Sequence, residues 1–377
     1  MNTDRIDGAA VRLRGYRPAD LDGVVTGHAD PESQRFMPLV PSPFTRRHGE
    51  WYLDDAAPAA FAQGGAAYAI ADPETDRLLG GIGIGQVQPA RGQGEVGYWV
   101  GPWARGRGVA TAALRALSEH AFRAGLARLE LLSHWENTAS QRVALAAGYQ
   151  REGVRRGALP NRDGGHDDLL AFARVAGDPG EAIGRLLPDL PGGELTDGVV
   201  TLRPLTGDDL AFYTELLGQP DVIATSVPPV RRSDEELLRR CARAPANWIN
   251  GERADLLIAE ATTGRPIGEI ALYYQEPFAG QAMIGYSMMP AWRGRGFTTR
   301  AVQLLSLWAF AETNAARLIA GTLPTNLGSQ RVLEKAGFSR EAYLKSRLPG
   351  PNGTRTDDVQ FVLLPEALLT KVSDPNR

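Results

Sequence analysis

The chemistry of this 377-residue chain is concentrated in the stretch Tyr98-Trp99-Val100-Gly101-Pro102-Trp103-Ala104-Arg105-Gly106-Arg107-Gly108-Val109-Ala110. An apolar run enters a turn with two glycines, and the turn opens a segment of helical periodicity. Such a loop lets successive backbone N–H groups converge on an anion, and the helix start adds its partial positive charge. Glycine permits the dihedrals and the close approach. Arginine can add charge-assisted contacts to phosphate oxygens. A single loop of this kind could equally be a turn with solvated arginines. It occurs twice, however: Arg293-Gly294-Arg295-Gly296 follows 188 residues later, after a matching strand and before a matching helix. The repetition favours an anion site. The third glycine of a dinucleotide fingerprint and the lysine of a Walker loop are both missing.

Two further patterns could act on a substrate. Asn137 and Ser140, three apart, return as Asn326 and Ser329. Each serine is either a hydroxyl that can move a proton or a residue at a helix start. Glu95 stands in the strand before the first loop, where a carboxylate could deprotonate an ammonium, or could simply face solvent. The second copy has Met283 there, with Glu269 in the neighbouring strand. Asp167-Asp168 and Asp357-Asp358 read as turn residues before the last strand of each half. The five histidines have no metal-ligand spacing, and no metal site is expected. Gly81, Gly83 and Gly85 read as close-packed sheet positions. Trp51, Tyr52 and Trp248 read as core packing, in the variable region after the first strand of each half.

Arg105-x-x-Gly108-x-Ala110 resembles the acyl-CoA signature of the GNAT superfamily of N-acyltransferases, (Gln/Arg)-x-x-Gly-x-(Gly/Ala). Arg293-x-x-Gly296-x-Thr298 departs at its last position. Asn137-x-x-Ser140-x-Arg142-Val143, ending at Gly148-Tyr149, resembles the RimJ/RimL-type branch, which acetylates ribosomal-protein N-termini. Asn326-x-x-Ser329-x-Arg331-Val332 with Gly337-Phe338 matches it equally. The resemblance implies acetyl-CoA, or another acyl-CoA, as co-substrate. Its pyrophosphate would lie on Arg105, Gly106, Arg107, Gly108, Val109 and Ala110, with Asn137 nearby and the pantetheine along the strand ending at Val100. The second copy offers Met288, Arg293, Gly294, Arg295, Gly296, Thr298 and Asn326. Tyr98 would donate its N–H to the oxyanion, as would Tyr286. Ser140 and Ser329 would protonate the leaving thiolate, because the tyrosine many relatives carry on that helix is replaced by Ala144 and Leu333. Glu95 would be the general base. The implied acceptor is a primary amine of a small molecule or a peptide N-terminus, attacking the thioester directly. The competing reading is a non-catalytic acyl-CoA-binding scaffold or sensor. Loss of the carboxylate at Met283 makes the first copy the expected catalyst.

These residues need elements to hold them, and the whole chain is a repeat. Leu13-Arg14 and Asp20-Leu21 return at an offset of 189, Gly97-Tyr98 at 188 and Asp167-Asp168 at 190. The expected fold is α/β, a mixed and mainly antiparallel sheet with helices, built as two tandem domains at 1–176 and 199–377. Residues 177–198, rich in Gly and Pro, read as a linker containing a short helix at Glu181–Leu187. The duplication implies a pseudo-dimer within one chain, able to act as a monomer. Ala113, Leu114, Leu117 and Ala121 share one face of a helix over Val109–Phe122.

The net charge is −3, and residues 1–176 hold 20 basic and 20 acidic side chains. Neither half is basic enough for a nucleic-acid module. The single Cys241 excludes an internal disulfide and cysteine-based zinc clusters, and suits the cytoplasm. The N-terminal stretch has no apolar core of signal-peptide type, and no run of 18 apolar residues predicts a membrane span.

Overall fold

Strands and helices alternate through each half as the hydrophobic pattern demands. The computed structural model describes residues 5–8 and 10–367. The chain divides into two compact units, Met1–Gly184 and Arg185–Arg377. The first contains β1 (Ile6–Asp7), β2 (Arg12–Arg14), α1 (Leu21–Ala29), α2 (Pro31–Phe36), α3 (Arg46–Trp51), α4 (Ala57–Ala62), β3 (Ala66–Ala71), β4 (Leu78–Gln88), β5 (Gln93–Val100), α5 (Val109–Arg123), β6 (Arg128–His134), α6 (Thr138–Ala146), β7 (Gln150–Pro160) and β8 (His166–Val175). The second contains β9 (Leu195–Thr196), β10 (Val200–Pro204), α7 (Leu210–Leu217), α8 (Pro220–Thr225), α9 (Asp234–Ile249), β11 (Ala254–Glu260), β12 (Pro266–Glu276), β13 (Gln281–Met288), α10 (Phe297–Glu312), β14 (Arg317–Thr322), α11 (Leu327–Ala336), β15 (Ser339–Pro349) and β16 (Arg355–Leu363).

Each unit forms one eight-stranded sheet. The order is β1-β2-β3-β4-β5-β6-β8-β7 in the first and β9-β10-β11-β12-β13-β14-β16-β15 in the second. Every neighbouring pair is antiparallel except β5–β6 and β13–β14. Strand β3, AAYAIA, is buried throughout, as an interior strand of apolar residues should be. Helix α5 seals one face with Ala113, Leu114, Leu117 and Ala121, all fully buried. Gly81 leaves room on the other face, because a Cβ there would lie 2.0 Å from the Tyr16 hydroxyl and 2.5 Å from Trp99 Nε1.

The structure corrects several expectations. Residues 181–187 are not helical. They run as irregular chain because neighbouring packing claims them: the Ile183 N–H donates to the Leu145 carbonyl at 2.9 Å, and Leu187 and Leu190 enter the core of the second unit. Ile183 is thus held within the first unit, and Leu187 and Leu190 within the second. Asp167 and Asp168 lie inside β8 rather than before it, and the repeat is one step out at this pair. Asp168 accepts from the Gly157 N–H at 2.9 Å and Asp357 from the Ser346 N–H at 2.7 Å, so these two are equivalent, at an offset of 189. Trp51 is 60% exposed and packs no core, whereas Trp248 is 5% exposed. Among the described residues no helix is long and apolar enough to cross a membrane, and no group of three or more His, Cys, Asp or Glu is placed to hold a metal ion.

Candidate functional site

The site begins where two parallel strands part. Strands β5 and β6 pair only through Gln93↔Arg128, Gly94↔Leu129 and Glu95↔Glu130, and then diverge. On its other side β5 stays paired with β4 up to Gly80↔Val100. The Gly101 N–H donates to the Leu79 carbonyl at 2.9 Å, so Gly101, Trp99 and Gly97 turn their main-chain groups toward β4. Alternation in an antiparallel ladder therefore turns those of Tyr98 and Val100 into the opening. The second unit repeats this fork. Strands β13 and β14 pair over Gln281↔Arg317, Ala282↔Leu318 and Met283↔Ile319 only, and the Met289 N–H on the Ile267 carbonyl at 2.9 Å directs Tyr286 and Met288 into the gap.

Beyond each fork lies the glycine loop. Gly106 and Gly108 have φ of 72° and 74°, and Gly294 and Gly296 have 70° and 84°. This left-handed backbone is the reason for glycine here, since a Cβ at any of the four would meet nothing within 4 Å. Gly108 and Gly296 are the N-caps of α5 and α10 and supply no side-chain cap. The first-turn amides of both helices are thus open to an anion. Helices α6 and α11 differ: the Asn137 side chain accepts from the Ser140 N–H at 3.0 Å, and Asn326 from the Ser329 N–H at 3.1 Å. These asparagines, grouped with the cofactor residues by resemblance, are helix caps here and fix where the serines point.

The first arginine of each loop is turned inward. Arg105 donates to the Val100 carbonyl at 3.2 Å, to Asp30 at 2.5 Å and to the Ser33 hydroxyl at 3.0 Å. Arg293 donates twice to the Met288 carbonyl, at 2.7 and 2.9 Å, and pairs with Asp221. Each guanidinium thus braces its loop from within. Arg107 and Arg295 are exposed at the loop tips.

Facing the fork, the Tyr98 hydroxyl lies 2.9 Å from Ser140 Oγ. The second unit repeats the pair at 2.9 Å between Tyr286 and Ser329. Burial pushes the phenol of Tyr98 upward and that of Tyr286 up to about 12, so both stay protonated near neutrality. The sequence reading assigned Tyr98 by its N–H and missed its phenol. The signal was present, since both Tyr and Ser recur at nearly the same offset.

Glu95 sits at the crotch of the first fork, partly buried. Burial and the adjacent Glu130 carboxylate raise its pKa above the ordinary carboxylate value, against the pull of Arg155. On the same face as Glu95, Trp99 packs against an aromatic wall: His28 lies 4.7 Å from both Trp99 and Phe44, ring to ring. In the second unit the Met283 sulfur accepts from the Tyr273 hydroxyl at 2.8 Å. Glu269 is opposite Ser287, away from Met283, and pairs with Arg240 at 3.8 Å.

The family described as Acetyltransferase (GNAT) domain matches this chain twice, over residues 10–150 and 200–339. Over 92 residues the chain is 42% identical to "Probable N-acetyltransferase YjcK" of Bacillus subtilis (strain 168), which is 24% of this chain and 51% of that one. It is 33% identical over 101 residues to "Ribosomal-protein-serine acetyltransferase" of Escherichia coli (strain K12), 26% of this chain and 56% of the relative. The chain thus spans about half the length of these curated relatives. The structure "Mycobacterium smegmatis RimJ in complex with CoA-disulfide" is 23% identical, covering 48% of this chain and 93% of that one with a TM-score of 0.43.

Proposed function

This chain belongs to the GNAT acetyltransferase family, and we propose that it is an acetyl-CoA-dependent N-acyltransferase whose first unit carries the chemistry. One observation supports this above all. A single fork brings together an uncapped helix N-terminus, strand amides without a strand partner, a protonated hydroxyl pair and a carboxylate of raised pKa. These are the groups that acyl transfer from a thioester to an amine requires.

The open amides at the start of α5 would hold the pyrophosphate, and the strand amides the pantetheine. When bound, acetyl-CoA supplies the activated acyl carbon. Glu95 takes one proton from the acceptor ammonium, directly or through water, and frees the nitrogen lone pair. The Tyr98 N–H donates to the carbonyl oxygen as negative charge grows there. As the new C–N bond forms and the C–S bond breaks, the Tyr98–Ser140 hydroxyl pair delivers a proton to the departing sulfur. The hydroxyls regain that proton from the nitrogen, which loses its second proton as the amide forms. The acceptor we favour is a peptide N-terminus, a reading supported by a relative named for acetylating a ribosomal-protein serine, with a small-molecule amine as the alternative. Met283, a thioether that cannot accept a proton from an ammonium, favours a scaffolding or acyl-CoA-sensing role for the second unit.

The test is thiol release from acetyl-CoA with peptides bearing free amino termini, an aminoglycoside and a polyamine as acceptors. Acceptor-dependent release with one amide formed per thiol is expected. Glu95→Gln should slow it by about 10²- to 10⁴-fold at neutral pH. Part of the loss should return at high pH, where the amine is already neutral. The wild-type rate should fall as pH drops through the raised Glu95 pKa, because only the ionised carboxylate accepts a proton. Binding of acetyl-CoA without turnover on any acceptor would favour the scaffold reading.

A further inference from the structure

The two units differ at the crotch of the fork in more than one residue, and the differences are electrically linked. Glu95 faces Glu130 across the last paired rung of β5–β6. Glu130 is only 8% exposed. It forms an ion pair with Arg155 of β7 and lies 3.7 Å from Arg128. Arg128 in turn pairs with Glu152 at 2.5 Å. Strand register fixes the counterparts in the second unit: Met283 for Glu95, Ile319 for Glu130 and, through the pairings Arg155↔Leu169 and Leu344↔Asp358, Leu344 for Arg155. The outer pair survives there as Arg317–Glu341 at 2.6 Å. Three charged residues are thus replaced together by three apolar ones, while the neighbouring ion pair and the fold remain. Neither Glu130 nor Arg155 is needed to build this sheet.

We propose that Glu130 and Arg155 are positioning residues for Glu95, the carboxylate by facing it across the last rung of β5–β6 and the guanidinium by holding that carboxylate in an ion pair. A carboxylate directly across the rung penalises ionisation of Glu95, since like charges at short range cannot both ionise freely. Arg155 reduces that penalty by neutralising Glu130 and by its own positive charge. Of the charged groups near Glu95, Glu130 raises its pKa and Arg155 lowers it, and β4 contributes Gly85 at the facing rung. A half-buried base poised in this way holds a transferred proton better than an ordinary surface glutamate does. The unit without the base has no use for the two tuning charges, which accounts for their joint absence.

This inference rests on Glu95 being the base, and its test separates the two. The full chain is labelled with 13C-carboxyl glutamate, and the Glu95 resonance is identified by its loss in Glu95→Gln. Its titration is then followed in the wild type and in Glu130→Gln, Arg155→Gln and Arg155→Lys. Glu130→Gln should move the Glu95 midpoint to lower pH and Arg155→Gln to higher pH, with Arg155→Lys close to wild type. A midpoint that stays put, or moves the same way in both glutamine variants, overturns the proposal, because a merely structural disturbance has no reason to act with opposite signs. The catalytic reading is judged on turnover alone. If Glu95→Gln turns over as fast as wild type, Glu95 is not the base, whatever the titrations give. If it is crippled while the titrations do not diverge, only the tuning by Glu130 and Arg155 is lost.

Discussion

Two hydroxyls in contact share a proton better than either holds it alone, and the Tyr98–Ser140 pair places such a contact beside the fork. Tyr98→Phe and Ser140→Ala should each slow thiol release, by about 10²-fold if the pair is the proton donor. The double variant should lose little more than the worse single one, since residues acting as a unit are not additive. Acetyl-CoA affinity, read by calorimetry, should stay near wild type in all three. Losses that multiply in the double variant would mean the hydroxyls work separately. Ser140 stood out in the sequence because Asn137 and Ser140 recur together as Asn326 and Ser329. The phenol of Tyr98 did not, because it meets Ser140 across 42 residues and only the folded sheet joins them. The brace on Arg105 was hidden for the same reason: its partner Asp30 is 75 residues away.

At the scale of elements, the glycine loop and its helix form one device. Gly108 has φ 74° and ψ 3°, a conformation that costs a residue with a Cβ roughly 1–2 kcal/mol. No atom crowds that position, so Gly108→Asp should fold with a modest drop in Tm. It should nevertheless lose acetyl-CoA binding in calorimetry, because its carboxylate would stand in the proposed pyrophosphate site. Unchanged affinity would move the anion site elsewhere. Helix α5 was readable from the spacing of Ala113, Leu114, Leu117 and Ala121, because one apolar face determines a helix. Strand β7 was not. Its sequence, QREGVRRGALP, is largely exposed and lies at the sheet edge, so no alternation marks it. The π-helical turn Tyr52–Ala56 that joins α3 to α4 has no local signal either.

The described residues carry two loops, two forks and two hydroxyl pairs, but carboxylates at the first fork alone. The same glycine substitution in each unit should therefore have unequal effects. Gly108→Asp is expected to abolish turnover, while Gly296→Asp is expected to remove an acyl-CoA site and leave turnover largely intact. If only Gly296→Asp stops the reaction, the first unit is the scaffold and Glu95 an ordinary strand residue. The repeat itself was legible because matched motifs keep their order at offsets of 188 to 190. Its finer register was not, since Asp168 and Asp357 become equivalent only when the bulged β7–β8 and β15–β16 pairings are seen.

The three-rung pairing at each fork makes one strand behave as two when its amide protons meet solvent. Along β5, Gly97 and Trp99 are locked to β4, while Tyr98 and Val100 face a gap. Deuterium should thus enter alternate residues: fast at Tyr98 and Val100, slow at Gly97 and Trp99, with the same alternation at Tyr286 and Met288 against Gly285 and Ser287. Residue-resolved exchange by NMR would display the pattern, and a uniform rate along either strand would contradict the open fork. Saturating acetyl-CoA should slow the fast residues in whichever unit it enters. The protein would then report its own occupancy, unit by unit, with no acceptor present.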